Sequence, residues 1–247
     1  MKFSGFLLFM FLFTGLSGFS QEKKIGQAAL KTGAGTSSPA VNQQFQLQEK
    51  IYRRARQLGD LTTATQALHT MIALRPEKTD LNDSLCLIYL GRGLFQQSRD
   101  VAKEVLEKNS GNLPVREALA QSYENLGSYP DALTAYETLY NGTKKLLYLY
   151  KVAAFQYLLK RYAECDANLR QIELSPEAPA EKVVLNYPNE NPNFQKVPIL
   201  AAALNIRGVI AIDMNKLTEA ADYFDQALLL MPDFIMAKKN KERLSGK

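Results

Sequence analysis

Side chains able to do chemistry are sparse in this sequence. Its 247 residues hold one histidine, His69, and two cysteines, Cys86 and Cys165. A metal site of the His/Cys kind needs three or four such ligands at short spacing, and these three are scattered. There is no HExxH, no glycine-rich phosphate loop and no spaced Cys/His set. Asp60 and Glu77 are the acidic residues flanking His69 in sequence, and no nucleophile stands with them. His69 is therefore expected on the surface, and no catalytic residue, metal or cofactor is expected.

Charge excludes another class. The net charge is +5 and the isoelectric point is near 9.0. The excess sits at the ends: residues 238–247 carry five basic residues against Glu242, and residues 21–44 carry Lys23, Lys24 and Lys31 against Glu22. Between them, residues 45–237 hold 21 Lys/Arg and 23 Asp/Glu. A groove for phosphates needs clustered basic residues in the folded body, so nucleic acid is not an expected partner.

The chain opens with a charged start at Lys2, an apolar run from Phe6 to Leu16, and small residues at Gly18 and Ser20. That is the layout of an export signal, expected at 1–20 with cleavage after Ser20. No stable membrane span is expected after cleavage, because no apolar run approaches the roughly 20 residues a span requires. Residues 21–44 are rich in small and polar types without periodicity and are expected to form a flexible tether.

The body of the sequence repeats. Leu61, Phe95, Tyr129, Tyr162 and Leu217 follow one another at 34, 34, 33 and 55 residues. Three residues after each stands a small one: Ala64, Ser98, Ala132, Cys165 and Ala220. Four further on are Leu68, Ala102, Tyr136, Leu169 and Phe224, and then Met71, Val105, Leu139, Ile172 and Ala227. Steps of three and four place these columns on one helical stripe. Upstream, Ile51, Leu85, Leu119 and Val152 share a column on a second helix. Gly59, Gly93 and Gly127 stand between the two, where a helix C-terminus favours glycine.

The period and columns resemble the tetratricopeptide repeat, a helix–turn–helix unit of this length. Gly93/Phe95, Gly127/Tyr129, Ala132, Ala220, Pro76 and Pro232 match the family's motif positions. The stretch from Leu217 to Pro232 matches it best. No tryptophan occupies the early aromatic position, where Gln48, Asn82, Arg116, Leu149 and Leu204 stand. The resemblance implies an all-α fold: a right-handed superhelical solenoid of about five repeats with an irregular insertion before the last. Repeats one to four are expected over 45–179, the insertion over 180–200, repeat five over 201–234 and a capping helix and tail over 235–247. Phe234, Ile235, Ala237 and Leu244 could face inward from that cap.

The family's first helices line a concave face where peptides or partner helices dock. In this register repeats one to three present Glu49, Arg53, Arg56, Asp83, Leu87, Glu117, Gln121 and Glu124, a mixed polar face. Repeats four and five present Tyr150, Ala154, Tyr157, Leu158, Asn205, Val209 and Ile212, an apolar and aromatic one. Capture of a C-terminal carboxylate is not implied, because the Lys, Arg and Asn pattern for it is missing. Tyrosine suits interfaces, with a large apolar body and a polar tip. It suits packing against the insertion equally well. Pro188, Pro192 and Pro198 forbid a continuous helix in that insertion. It either contacts a partner, through Tyr187, Asn189, Asn191 and Phe194, or serves as a longer connection. Cys86 and Cys165 fall in core columns two repeats apart, at 8–10 Å per packed helix, so buried free thiols are expected rather than a disulfide.

Two functions follow as expectations. One is a non-catalytic protein–protein scaffold of the cell envelope, exported to a bacterial periplasm, binding a protein partner on the concave face. The other is a carbohydrate- or small-ligand-binding accessory protein with a pocket under residues 186–194.

Overall fold

The computed structural model describes residues 38–187, 190, 192–244 and 246. The expected signal at 1–20 and residues 21–37 of the expected tether lie outside them. The described residues form five helix pairs: α1 (Pro39–Gln57) with α2 (Leu61–Leu74), α3 (Asp80–Gly91) with α4 (Phe95–Lys108), α5 (Leu113–Asn125) with α6 (Tyr129–Thr143), α7 (Leu146–Leu158) with α8 (Tyr162–Glu173), and α9 (Ile199–Asp213) with α10 (Leu217–Leu230). A last helix, α11 (Ile235–Leu244), follows. No helix among these residues is long and apolar enough to cross a membrane.

The repeat columns account for this layout. Leu61, Phe95, Tyr129, Tyr162 and Leu217 are each the first residue of a second helix. The small column three residues on is buried throughout, and so are Leu68, Ala102, Tyr136, Leu169 and Phe224. Gly59, Gly93 and Gly127 take positive φ at the bends, between 71° and 73°. Lys160 and Asn215 occupy the same place in the last two pairs at φ 59°, so the bend is kept where glycine is absent. Pro76 and Pro232 come two residues after the ends of α2 and α10 and cannot continue them.

Two boundaries differ from expectation. Helix α1 begins at Pro39, so residues 39–44 are its first turns and not tether. Ser38 caps it by accepting the Val41 N–H at 3.4 Å, and proline suits a first turn whose N–H groups are unpaired. The insertion is also regular. Strands β1 (Lys182–Asn186) and β2 (Phe194–Pro198) form an antiparallel hairpin, Val184 opposite Lys196 and Asn186 opposite Phe194. Ile199 and Leu200, counted with the insertion, open α9.

The described residues divide into two compact units, one ending at Ser122 and the other beginning at Tyr123 within α5. In the first, Phe45, Leu68, Met71, Leu85 and Ile88 form one core cluster, and Cys86, Ala102, Val105, Val115 and Ala118 another. In the second, the largest buried side chains are Phe155, Phe224 and Phe234. Phe234 and Ala237 are buried, and Leu244 packs on the Val209–Phe224 cluster, so α11 covers the end of α9 and α10 as a cap must.

Cys86 and Cys165 are free and fully buried. Cys165 donates to the Ala153 carbonyl at 3.1 Å, and Cys86 lies 3.6 Å from the Ser98 hydroxyl. Burial pushes the Cys86 thiol up to about 11 and the Cys165 thiol up to about 12. Neither holds a useful thiolate fraction near neutrality. The native protein should take up no thiol reagent at pH 8, and the denatured protein two equivalents. A label on the native chain within minutes, detected by mass spectrometry, would contradict this.

Candidate functional site

The expected contact surface lies in the second unit, where α7 and α9 bring most of its residues together. Helix α7 has the sequence LLYLYKVAAFQYL, in which Lys151 is the only charge. Ten of its side chains, Leu146 and Tyr148 through Gln156, are buried. Helix α9 is similarly buried over most of its length. Both pack between their second helices and neighbouring elements, so little of the aromatic stripe is left for a partner.

Tyr150 is 2% exposed, which corrects its placement on an open face. Burial raises its hydroxyl pKa well above the ordinary value, and Tyr187 and Glu124 nearby add to the effect. Asn205 is 1% exposed and accepts a hydrogen bond from Asn240 Nδ2 of α11 at 2.9 Å. It ties α9 to the cap. Ala154 and Val209 are buried as well. Tyr187 is 8% exposed, and its hydroxyl and the Asn186 side-chain nitrogen are buried without a hydrogen-bond partner. Asn189 and Asn191 lie outside the described residues.

Three expected residues keep accessible surface. Tyr157 and Leu158 are half-buried at the end of α7. The Tyr157 hydroxyl donates to Asp213 Oδ2 at 3.0 Å, and Tyr162 donates to the same oxygen at 3.1 Å. Burial first, and then the Asp213 carboxylate, hold the Tyr157 hydroxyl in its protonated form. Phe194 is 45% exposed on the outer side of the hairpin.

The hairpin is anchored to the cap. Gln195 donates through Nε2 to the Asp233 carbonyl at 2.7 Å and accepts the Ile235 N–H at 3.0 Å. One side chain thus satisfies a carbonyl and a free helix-start N–H at once. Lys239 of α11 pairs with Glu190 near the hairpin tip. Beneath it, repeats four and five pack as neighbours despite the insertion. Arg207 of α9 donates to both Glu173 oxygens at 2.9 and 2.8 Å and to Asp166 at 2.7 Å, while its guanidinium lies 4.9 Å from the Tyr223 ring centroid.

A buried ion pair was not foreseen. Glu124, expected on the polar face, is buried: Lys151 Nζ donates to its two oxygens at 2.9 and 3.2 Å, and the Tyr136 hydroxyl donates at 2.6 Å. The side chains are 4% and 3% exposed. Burial pushes the Glu124 carboxyl above its usual range, against the opposing pull of Lys151 and Tyr136. A lone lysine in an otherwise apolar helix was the signal available in the sequence, since such a charge needs a partner.

In the first unit, Glu49, Asp83, Leu87, Glu117 and Gln121 are half-buried, and Arg53 and Arg56 exposed. Asp80, Asp83, Glu104 and Lys108 line a shallow recess of about 120 Å3 between α3 and α4. His69 is exposed, with its Nε2 2.8 Å from the Tyr89 hydroxyl. Among the described residues no group of three His, Cys, Asp or Glu side chains is placed to hold a metal ion.

No family model matches the sequence, and no curated protein matches it. Solved structures do. The chain is similar to a MamA protein at 14% identity, with 76% of this chain and 92% of that one covered and a TM-score of 0.59. It is similar to YrrB, described as a TPR protein with an unusual peptide-binding site, at 13% identity, with 77% and 88% covered and a TM-score of 0.61. It is similar to MamA 41-end from Desulfovibrio magneticus RS-1 at 12% identity, with 78% and 97% covered and a TM-score of 0.59. At these identities the likeness is one of fold, and it agrees with the repeat spacing and the helix pairs: the chain is built as a tetratricopeptide-repeat solenoid.

Proposed function

We propose that the protein is a non-catalytic protein–protein interaction scaffold of the cell envelope. One observation carries this reading. Three sets of buried or half-buried polar groups join helix to helix: Glu124 with Lys151, Arg207 with Glu173 and Asp166, Asn205 with Asn240. They are spent on packing, and what faces outward on the first helices of repeats one to three is a surface of mixed polarity, the kind a protein partner recognises. YrrB, with its peptide-binding site, supports the class of partner. Arg53 and Arg56 of repeat one, and Tyr157 and Leu158 of repeat four, are the contact residues consistent with exposure. The export signal expected at 1–20 from the sequence supports the location.

Cross-linking of the tagged full-length protein in its native cell is the test. A reproducible protein partner is expected, weakened by Arg53→Glu with Arg56→Glu or by Tyr157→Ala with Leu158→Ala. The exported protein should begin at Gln21 by N-terminal sequencing. Failure to capture any protein refutes the scaffold, and a chain retained uncleaved in the cytosol refutes the location. The rival, a small-ligand site under the hairpin, rests on the unpaired Tyr187 hydroxyl and Asn186 amide nitrogen. It requires a sugar or similar polar ligand that raises the melting temperature, an effect removed by Tyr187→Phe.

A further inference from the structure

The hairpin between repeats four and five has two unequal edges. Tyr187 N–H donates to the Asn193 carbonyl at 2.6 Å, and Ile199 N–H to the Glu181 carbonyl at 2.8 Å. Antiparallel ladders alternate bonded and non-bonded pairs, so Val183 with Val197 and Leu185 with Gln195 are the bonded pairs between these two. Their side chains are the buried ones. Lys182, Val184 and Asn186 on β1, and Phe194, Lys196 and Pro198 on β2, therefore turn their backbone groups away from the hairpin. Among the described residues the sheet has only these two strands, so the outward N–H and carbonyl groups of Lys182, Val184 and Asn186 have no ladder partner, while the Pro198 carbonyl starts the hydrogen bonding of α9. Buried backbone groups are nearly always paired, so those of β1 are open to water.

The β2 edge is blunted, since Pro198 has no N–H and Lys196 stands beside it. The β1 edge is complete: Lys182, Val184 and Asn186 each offer a donor and an acceptor, at the spacing of one added strand. The geometry points to β1 as a docking edge that takes an extended, acidic segment of a partner protein as a third strand. This rests on the scaffold reading above and names the mode of contact. Charge selects the partner. The outward face holds Lys182 and Lys196 and no acidic residue, with Val184 and the exposed Phe194 as its apolar centre. A strand with an apolar β-branched residue opposite Val184 and acidic residues towards its ends complements that face. The protein's own leading segment 21–37 does not, because Lys23, Lys24 and Lys31 outnumber Glu22. A second copy is disfavoured, because it brings the same two lysines, and no acidic residue on that face, to the edge.

The test uses the full mature chain and two labelled nine-residue peptides of alternating Thr and Val, one with Glu near both ends and one with Lys there instead. Fluorescence anisotropy should show the Glu peptide binding at least about tenfold tighter than the Lys peptide. Amide exchange should slow at Lys182, Val184 and Asn186 when it binds. V184P removes one outward donor without touching a ladder bond and should abolish binding. K196P makes the same backbone change on the opposite edge and removes one of the two lysines, so it should narrow the preference for the Glu peptide without abolishing binding. Equal affinity for the two peptides, binding unaffected by V184P, or equal loss in both proline variants overturns the assignment. So does a concentration-dependent dimer of the free protein that V184P disperses, which gives the edge to a second copy. A cellular partner still captured by V184P leaves the scaffold reading standing while this one fails.

Discussion

Replacing Gly208 by alanine is expected to destabilise the second unit by about 2 kcal/mol, although alanine is the better helix former. A Cβ at this position would lie 2.4 Å from Phe224 Cε1, 2.7 Å from Cζ and 2.8 Å from Cδ1. Ordinary carbon contacts are about 3.5–4.0 Å, so the ring or the helix must move by roughly an ångström. Phe224 is fully buried among Val209, Ala211 and Ala220, which leaves the ring nowhere to turn. The propensity gain from glycine to alanine is about 1 kcal/mol, and the clash exceeds it because α9 must shift along the whole α10 interface. For a chain of this size the melting temperature should fall by roughly 4–8 °C. Pairing the change with Phe224→Leu should recover part of the loss, giving a coupling energy beyond the sum of the single changes. Urea and thermal denaturation of the four proteins measure it. A Gly208→Ala protein as stable as the parent would mean that α9 and α10 pack more loosely than the structure shows.

Gly208 also shows where reading the sequence stopped short. The spacing of Leu61, Phe95, Tyr129, Tyr162 and Leu217 was sufficient for the fold, because a stacked repeat must present the same side chains to the same neighbours each time. The first helices carry a further column of small residues, with Cys86, Ala120, Ala153 and Gly208 in register and buried, beside the column of Ile51, Leu85, Leu119 and Val152. The insertion is legible in the negative: its prolines exclude a helix, while the alternation of Val183 and Leu185 in β1 is too short to mark a strand by itself. The contact surface was least legible. A first-helix register says which way a residue points, but the second unit adds a hairpin and a cap helix over α7 and α9. Tyr150 and Asn205 point towards a face that the fold then covers. Their burial follows from elements far away in sequence, which no local pattern reports.

The Glu124–Lys151 pair carries the other large effect. Glu124→Gln leaves the Lys151 ammonium buried without its counter-charge, and loss of one partner of such a pair costs about 3–5 kcal/mol. Lys151→Met fails differently, because a carboxyl can shed its charge by taking a proton. Burial already raises the Glu124 pKa, and removing Lys151 takes away the largest force opposing that rise. The folded variant then binds the proton more tightly than the unfolded chain, so its stability must fall as pH rises and return as pH falls towards the range of an exposed glutamate. Relative to the parent, Lys151→Met should therefore be weakest at neutral pH and recover in mild acid. Removing both charges removes the conflict but leaves the Tyr136 hydroxyl, which donates to Glu124 at 2.6 Å, without an acceptor. Glu124→Leu with Lys151→Met and Tyr136→Phe should thus regain most of what either single change loses, since an apolar trio of similar volume avoids the desolvation of two ions. Denaturant titrations between pH 5 and pH 8 separate these cases. A Lys151→Met deficit that stays constant or grows on acidification would show that the carboxylate remains ionised, paired with a cation other than Lys151.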